Sequence, residues 1–287
     1  MQFLSHTAEI RSLVREAQQR GSRVGVVPTM GALHAGHLSL VERSRRECEH
    51  TVTTIFVNPS QFGPNEDFSK YPRTLQSDLD MLEAAGCNWV FVPSNEEMYP
   101  SGHSTFIEPP TVAADWEGRI RPGHFRGVAT IVLKLFHAIP ADVAYFGRKD
   151  YQQVAVLKAM VRDLNLGIEL VACETVREPD GLAMSSRNRY LSQGERQRAL
   201  GLSRALQRAQ SLLTAGCRNG GELEDAMRDE LQSAPVDSID YAAIVDPDTM
   251  VRLERIDRQA VAILAARIGS TRLIDNATLR VEPGTVR

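Results

Sequence analysis

An α/β fold, a Rossmann-like doubly wound parallel sheet with a smaller C-terminal α+β domain, is predicted by three observations. Helical and strand-like periods alternate through the first 175 residues. The strand-like runs there are short, rich in β-branched residues and stopped by proline or glycine, as strands buried on both faces are. Beyond residue 175 the alternation ceases, and helices are followed by strands.

Taken in order, Thr7 to Arg20 carries the spacing of an amphipathic helix. Arg23 to Val27 reads as a strand ended by Pro28, and Thr51 to Val57 ("TVTTIFV") as another ended by Asn58-Pro59. Between them lies a helix with His34 and His37 in its first turns. Leu75 to Ala85 predicts a helix closed by Gly86, and Trp89 to Val92 a strand stopped by Pro93. An apolar helix follows at Val128 to Ala138, then strands at Ala144 to Gly147 and Ile168 to Ala172. Arg177 to Ser192 ("REPDGLAMSSRNRYLS") is polar, turn-rich and has neither period. Helices at Gly194 to Leu213 and Gly221 to Gln232 precede strand-like runs at Ile239 to Val245, Val261 to Ala266 and Arg272 to Ile274. The domains expected are therefore 1–175 and 176–287.

Composition narrows the function. The chain has 287 residues, 43% of them hydrophobic, enough for one large core or two. A net charge of −3 supplies no basic field for a nucleic acid backbone, so no nucleic acid partner is expected. Cys48, Cys87, Cys173 and Cys217 are scattered, with no Cys-x-x-Cys pair, and read as reduced thiols. Met1 to Gly21 has no apolar targeting core, and no run approaches the roughly 18 uncharged apolar residues of a membrane span. The expectation is a cytoplasmic protein with no membrane partner.

The stretch "VGVVPTMGALHAGHLSLVERS", Val24 to Ser44, runs strand, proline, two glycines, helix. In open α/β sheets the loop from the first strand into its helix is a frequent phosphate site. Gly31 and Gly36 allow close approach to the backbone, and amides at a helix start favour an anion. His34 and His37, three apart, share one helix face and point two donors together. Incidental surface histidines and a zinc pair are the competing readings; zinc requires further ligands that no nearby cysteine or acidic cluster offers.

"PTMGALHAGH" resembles the HIGH-type signature of the nucleotidyltransferase superfamily. Downstream, "FVNPSQF" (56–62), "YPRT" (71–74), "RPGHFRGV" (121–128), "FGRKDYQQ" (146–153), "DGLAMSSRNRYL" (180–191) and "RLIDN" (272–276) resemble the pantothenate synthetase family, in order and over nearly the whole chain. The resemblance implies a ligase that joins pantoate to β-alanine in two steps. ATP and pantoate give pantoyl adenylate and pyrophosphate, and the amine of β-alanine then displaces AMP. It implies ATP as a substrate brought as its Mg2+ complex, and a homodimer. It also implies that domain 1–175 binds ATP and pantoate and that 176–287 closes over the active site.

Residue by residue, the resemblance places Met30, Gly31, Ala32, Leu33, His34, Ala35, Gly36 and His37 in the ATP cradle, with His34 and His37 at the phosphates and His37 as proton donor. Gly147, Arg148, Lys149 and Asp150 form a second ATP motif in which Lys149 meets phosphate; on composition alone Lys149 and Asp150 read as a solvated pair. Where the family carries Glu or Gln this chain has Arg148, which predicts a more positive local field. Val176 matches a backbone contact to adenine, and Met184, Ser185, Ser186 and Arg187 match the mobile phosphate-clamping loop. Gln61 and Gln153 match pantoate-binding carboxamides, Gln61 also facing β-alanine, with Asn58 assisting. Tyr71 and Arg121 lie in matching motifs without an assigned role. No protein metal ligand is assigned; Asp78 is a candidate supporting carboxylate, the competing reading being an exposed acid at a helix start. Two other classes compete with the ligase: a nucleotidyltransferase that leaves the nucleotide on its product, and a non-catalytic nucleotide- or nucleic-acid-binding module.

Overall fold

The computed structural model describes residues 1–64, 66 and 68–281. The predicted fold class is the one observed, in two compact units. The first unit comprises Met1–Arg148 and Val156–Glu174. Its strands are β1 (Gln2–Leu4), β2 (Val24–Thr29), β3 (His50–Ile55), β4 (Trp89–Phe91), β5 (Val143–Gly147) and β6 (Glu169–Cys173). Its helices are α1 (Thr7–Gln19), α2 (Ala35–Glu47), α3 (Leu75–Ala84), the short α4 (Asn95–Met98) and α5 (Glu117–Ile120), α6 (His124–Ala138) and most of α7 (Tyr151–Asp163).

The six strands pair in parallel in the order β1-β4-β3-β2-β5-β6. The strand order reverses between β2 and β5, since β3 lies on one side of β2 and β5 on the other. Beyond the carboxyl ends of the strands at such a reversal lies the crevice where open α/β sheets bind ligands. Val24, Val26, Val143 and Tyr145 at the centre of the sheet are fully buried. That burial on both faces is why these strands read as continuous apolar runs.

Pro28 does not end β2, which continues to Thr29. Thr29 receives Phe56 N–H on its carbonyl and donates its own N–H to Thr54 Oγ1, so Thr29 faces β3 and Pro28, one residue earlier, faces β5. The ladder to β5 consists of Gly25↔Val143 and Val26↔Ala144 and has already ended there. A missing N–H therefore breaks no bond. Other elements also depart from the sequence reading, which included neither the 13-residue α7 nor the short α4 and α5. The edge strand β1, three residues long with Phe3 exposed, carries no period and was not expected. The helix expected from Val128 begins at His124, after Gly123 in the left-handed region.

The second unit comprises Lys149–Ala155 and the chain from Thr175 onward. Its long helices α8 (Gln193–Thr214) and α9 (Gly220–Ser233) accompany an antiparallel sheet of β7 (Ser238–Val245), β8 (Ala260–Ile268) and β9 (Thr271–Leu279), in that order. Ser192 and Glu195 form a reciprocal capping box that starts α8. Leu202, Leu206 and Leu213 of α8 and Leu223, Met227 and Leu231 of α9 bury against Ile244, Ala262 and Leu264. Strand β9 runs past Ile274 through Asp275 and Asn276, residues poorly suited to strands.

Candidate active site

The turn between β2 and α2 is built on a buried carboxylate. Asp78, in the first turn of α3 and 1% exposed, accepts Ala32 N–H at 2.9 Å and Leu33 N–H at 2.8 Å, with Thr74 Oγ1 donating to the same carboxylate at 3.2 Å. Gly31 and Ala32 both have positive φ, 80° and 51°. For alanine that conformation costs about 1–2 kcal/mol. Each amide bond to a charged acceptor contributes about 1.5–3 kcal/mol, so the two together hold the strained turn. Asp78 is thus neither the exposed acid nor the metal-supporting carboxylate expected from the sequence. The amides of Ala32 and Leu33 are likewise committed to this internal anion.

His34 is the N-cap of α2, with extended backbone, and its Nδ1 accepts Gly36 N–H at 3.2 Å. Accepting at Nδ1 leaves the proton of the neutral ring on Nε2. His37 lies in the first turn, its Nδ1 buried, with its ring centroid 4.1 Å from that of His34. The predicted pair is therefore together, at the carboxyl end of β2. The histidines do not both lie within the helix, however, because His34 caps it. Met30 is half-buried and Ala35 is exposed.

Gln61, 8% exposed, ends the short turn Pro59–Gln61. Its Nε2 donates to Met30 Sδ at 3.0 Å and its Oε1 accepts from Asn58 Nδ2 at 3.1 Å. Asn58 is fully buried and also donates to the Gly127 carbonyl at 3.2 Å, while its Oδ1 accepts from Tyr99 Oη at 2.8 Å and Ser60 Oγ at 2.9 Å. The first unit thus brings Gln61 against the Met30–His37 segment, and Asn58 holds Gln61 in place.

A charged network supports the same turn. Arg121 binds Glu66 through Nε at 2.7 Å and Nη2 at 2.6 Å, and its Nη1 lies 3.0 Å from His124 Nε2. His124 Nδ1 lies 2.9 Å from the Gln61 carbonyl oxygen. A guanidinium only donates and a carbonyl only accepts, so His124 is the neutral tautomer protonated at Nδ1. Burial, and then the Arg121 charge, lower its pKa to about 4. For Glu66, burial acts to raise the pKa, but the Arg121 hydrogen bonds and charge prevail and hold it below the ordinary value.

The other predicted residues follow β5 or lie in the second unit. Gly147 ends β5, and Arg148–Asp150 form a single 3-10 turn. Arg148 Nη1 pairs with Glu174 at 2.5 Å, so part of the charge expected to make the local field more positive is met by a neighbouring carboxylate. Lys149 Nζ lies 3.6 Å from Asp150 Oδ1, the lysine side chain 19% exposed and the aspartate 50%. Gln153 is half-buried in the first turn of α7. Val176 and Met184 are joined across a hairpin by Met184 N–H to Val176 O at 3.0 Å. Ser185 caps the turn Ser186–Tyr190, its Oγ accepting Arg187 N–H at 3.3 Å. Ser185, Ser186 and Arg187 are all half-buried.

Residues 2–278 match the family model described as Pantoate-beta-alanine ligase. The chain belongs to that family. It is 52% identical over 284 residues to the pantothenate synthetase of Rhodopirellula baltica, covering 98% of this chain and 100% of the relative. The crystal structure of pantothenate synthetase from Thermus thermophilus superposes with a TM-score of 0.92 at 46% identity, covering 99% of this chain and 100% of that one. The pantoate-beta-alanine ligase of Francisella tularensis, complexed with beta-gamma ATP and beta-alanine, matches with a TM-score of 0.79 at 34% identity, covering 96% and 97% of the two chains.

In this member of the ligase family, sequence reasoning missed the roles of Asp78 and His124. Asp78 had a usable signal, because it lies on the face of α3 that holds Leu75 and Leu82, and an acid there must find partners when buried. His124 lies only three residues from Arg121, but its other partner, the Gln61 carbonyl, comes from a turn remote in sequence that no local pattern records.

Proposed function

We propose that this protein joins pantoate to β-alanine at the expense of ATP, through a pantoyl adenylate. A carboxylate oxygen of pantoate attacks the α-phosphorus of ATP as the bond to pyrophosphate breaks. The uncharged amine of β-alanine then attacks the acyl carbon, its nitrogen gives up a proton, and AMP leaves with the oxygen it gained. The observation that carries this reading is the His34–His37 pair at the carboxyl end of β2, beside the reversal in strand order.

In this reading His37 donates to phosphate oxygens that gain charge as pyrophosphate departs, and His34 donates from Nε2. Lys149 meets the phosphates as a compact cation, and Ser185, Ser186 and Arg187 close on the triphosphate. Gln61 and Gln153 bind pantoate. The protein works mainly by alignment and charge neutralisation, since the nucleophile is the substrate's own.

Among the described residues no group of three or more His, Cys, Asp or Glu could hold a metal, and Asp78 is taken up by backbone amides. The residues present do not build a magnesium cage; the Mg2+ of the proposal comes with the triphosphate, and no step is routed through it. No helix among the described residues is long and apolar enough to cross a membrane. A cytoplasmic location, supported by four free thiols, and a homodimer complete the proposal.

Mass analysis of products from ATP, pantoate and β-alanine tests the reading. Pyrophosphate release that requires pantoate, then AMP and amide on adding β-alanine, is expected. A nucleotide retained on the final product, or no turnover with pantoate, overturns it.

A further inference from the structure

Asp275 and Asn276 are neighbours within β9, opposite Leu264 and Ile263 of β8, and are 3% and 8% exposed. Successive side chains of a strand leave opposite faces, so the dipeptide reaches to both sides of its sheet. Asn276 Nδ2 donates to the main-chain carbonyl of Lys149 at 2.8 Å. Asp275 accepts both Nη atoms of Arg177, at 2.7 and 2.9 Å, and its Oδ1 also accepts Asn276 N–H at 2.7 Å.

Arg177 opens the hairpin that leads to Ser185, bridging to Ala183 across it and donating from Nη1 to the Gly181 carbonyl at 3.0 Å. Asn188, just beyond Arg187, ties back to the same hairpin through Glu178 at 2.7 Å and the Ala183 carbonyl at 3.0 Å. Two segments remote in sequence, the Lys149 turn and the 176–188 hairpin, are therefore suspended from one dipeptide. Asparagine and aspartate are poor strand residues, and each is buried here with a polar partner whose loss leaves an unmet group. A lysine ammonium on its four-carbon stem goes only where its backbone is set.

We propose that Asn276 and Asp275 are positioning residues for the triphosphate, Asn276 fixing the backbone from which Lys149 projects and Asp275, through Arg177, fixing the hairpin that presents Ser185–Arg187. The inference rests on the reading of those residues as phosphate ligands.

The test is a double-mutant cycle on the full chain, reading pantoate-dependent pyrophosphate release, the separate KM values for ATP and pantoate, and thermal unfolding. Asn276→Ala is expected to lower kcat/KM for ATP roughly 10- to 100-fold with pantoate KM unchanged, the loss that a small misplacement of a reacting group brings. It is expected to add less than about twofold on a Lys149→Ala background. Losses that multiply fully in the double variant, or KM values for ATP and pantoate that rise together, overturn the inference. If Asn276→Ala fails to fold, the near-isosteric Asn276→Asp sets an acceptor against the Lys149 carbonyl and is expected to behave the same way. Asp275→Asn is expected to be similarly non-additive with Arg187→Ala. Failure of the underlying reading is distinct: Lys149→Ala and Arg187→Ala would themselves retain full activity with ATP.

Discussion

The carboxylate of Asp78 holds the Ala32 amide at 2.9 Å, and Ala32 stands in the left-handed region two residues before the N-cap His34. The backbone that delivers the histidines is thus fixed from α3. Asp78→Asn keeps one oxygen but turns an amide group toward a backbone N–H. The variant is expected to lose about 1–3 kcal/mol in urea titration and to slow pyrophosphate release. An unchanged midpoint would show that the turn stands without this anchor.

His34 and His37 are expected to separate in their effects. His34→Ala removes a helix cap, worth about 1 kcal/mol, as well as a donor. His34→Asn restores the cap and is expected to recover the unfolding midpoint but not the rate of adenylate formation. His37→Ala is expected to slow adenylate formation far more than it weakens pantoate binding. Equal losses in both would make His37 structural.

Gly127 packs so closely on the 58–61 turn that a Cβ there would lie 2.3 Å from the Ser60 carbonyl oxygen and 2.6 Å from Gln61 Cα. Both are backbone atoms and the turn must move. If the turn's displacement, about 1–3 kcal/mol of overpacking, falls on pantoate binding, pantoate KM rises about fivefold or more for Gly127→Ala, with ATP KM nearly unchanged. Steady-state kinetics with each substrate varied in turn decides it.

Acid should loosen the Gln61 turn through His124. The pKa in the folded protein, about 4, lies below the ordinary value of 6.5, so folding favours the neutral ring. Its contribution is complete above pH 6.5 and is lost as the pH falls through 4. Its size is on the order of 3 kcal/mol. Urea midpoints followed from pH 7 to 4 should fall more steeply for the wild type than for His124→Gln. Parallel curves would remove His124 from the account.

Fold class was legible because period and punctuation agree over most of the chain. The strands β2 and β5 are apolar runs, β3 is rich in β-branched residues, and α8 announces itself through Ser192 and Glu195. What escaped detection depends on tertiary partners. Asp275 and Asn276 stay in β9 because Arg177 and the Lys149 carbonyl meet them, which no local pattern records. The motifs named the histidines, Lys149 and Gln61, but not what holds them. Asp78 and His124 act on those residues through backbone atoms and across long sequence separations.

Pro28 turns its nitrogen toward β5, beyond the last rung between the two strands. An imide nitrogen has nothing to offer a neighbouring carbonyl, so the seam cannot zip further toward the histidines. The pairing of these two strands thus stops short of the segment that carries the imidazoles, and a ring of three methylenes serves as the doorstop.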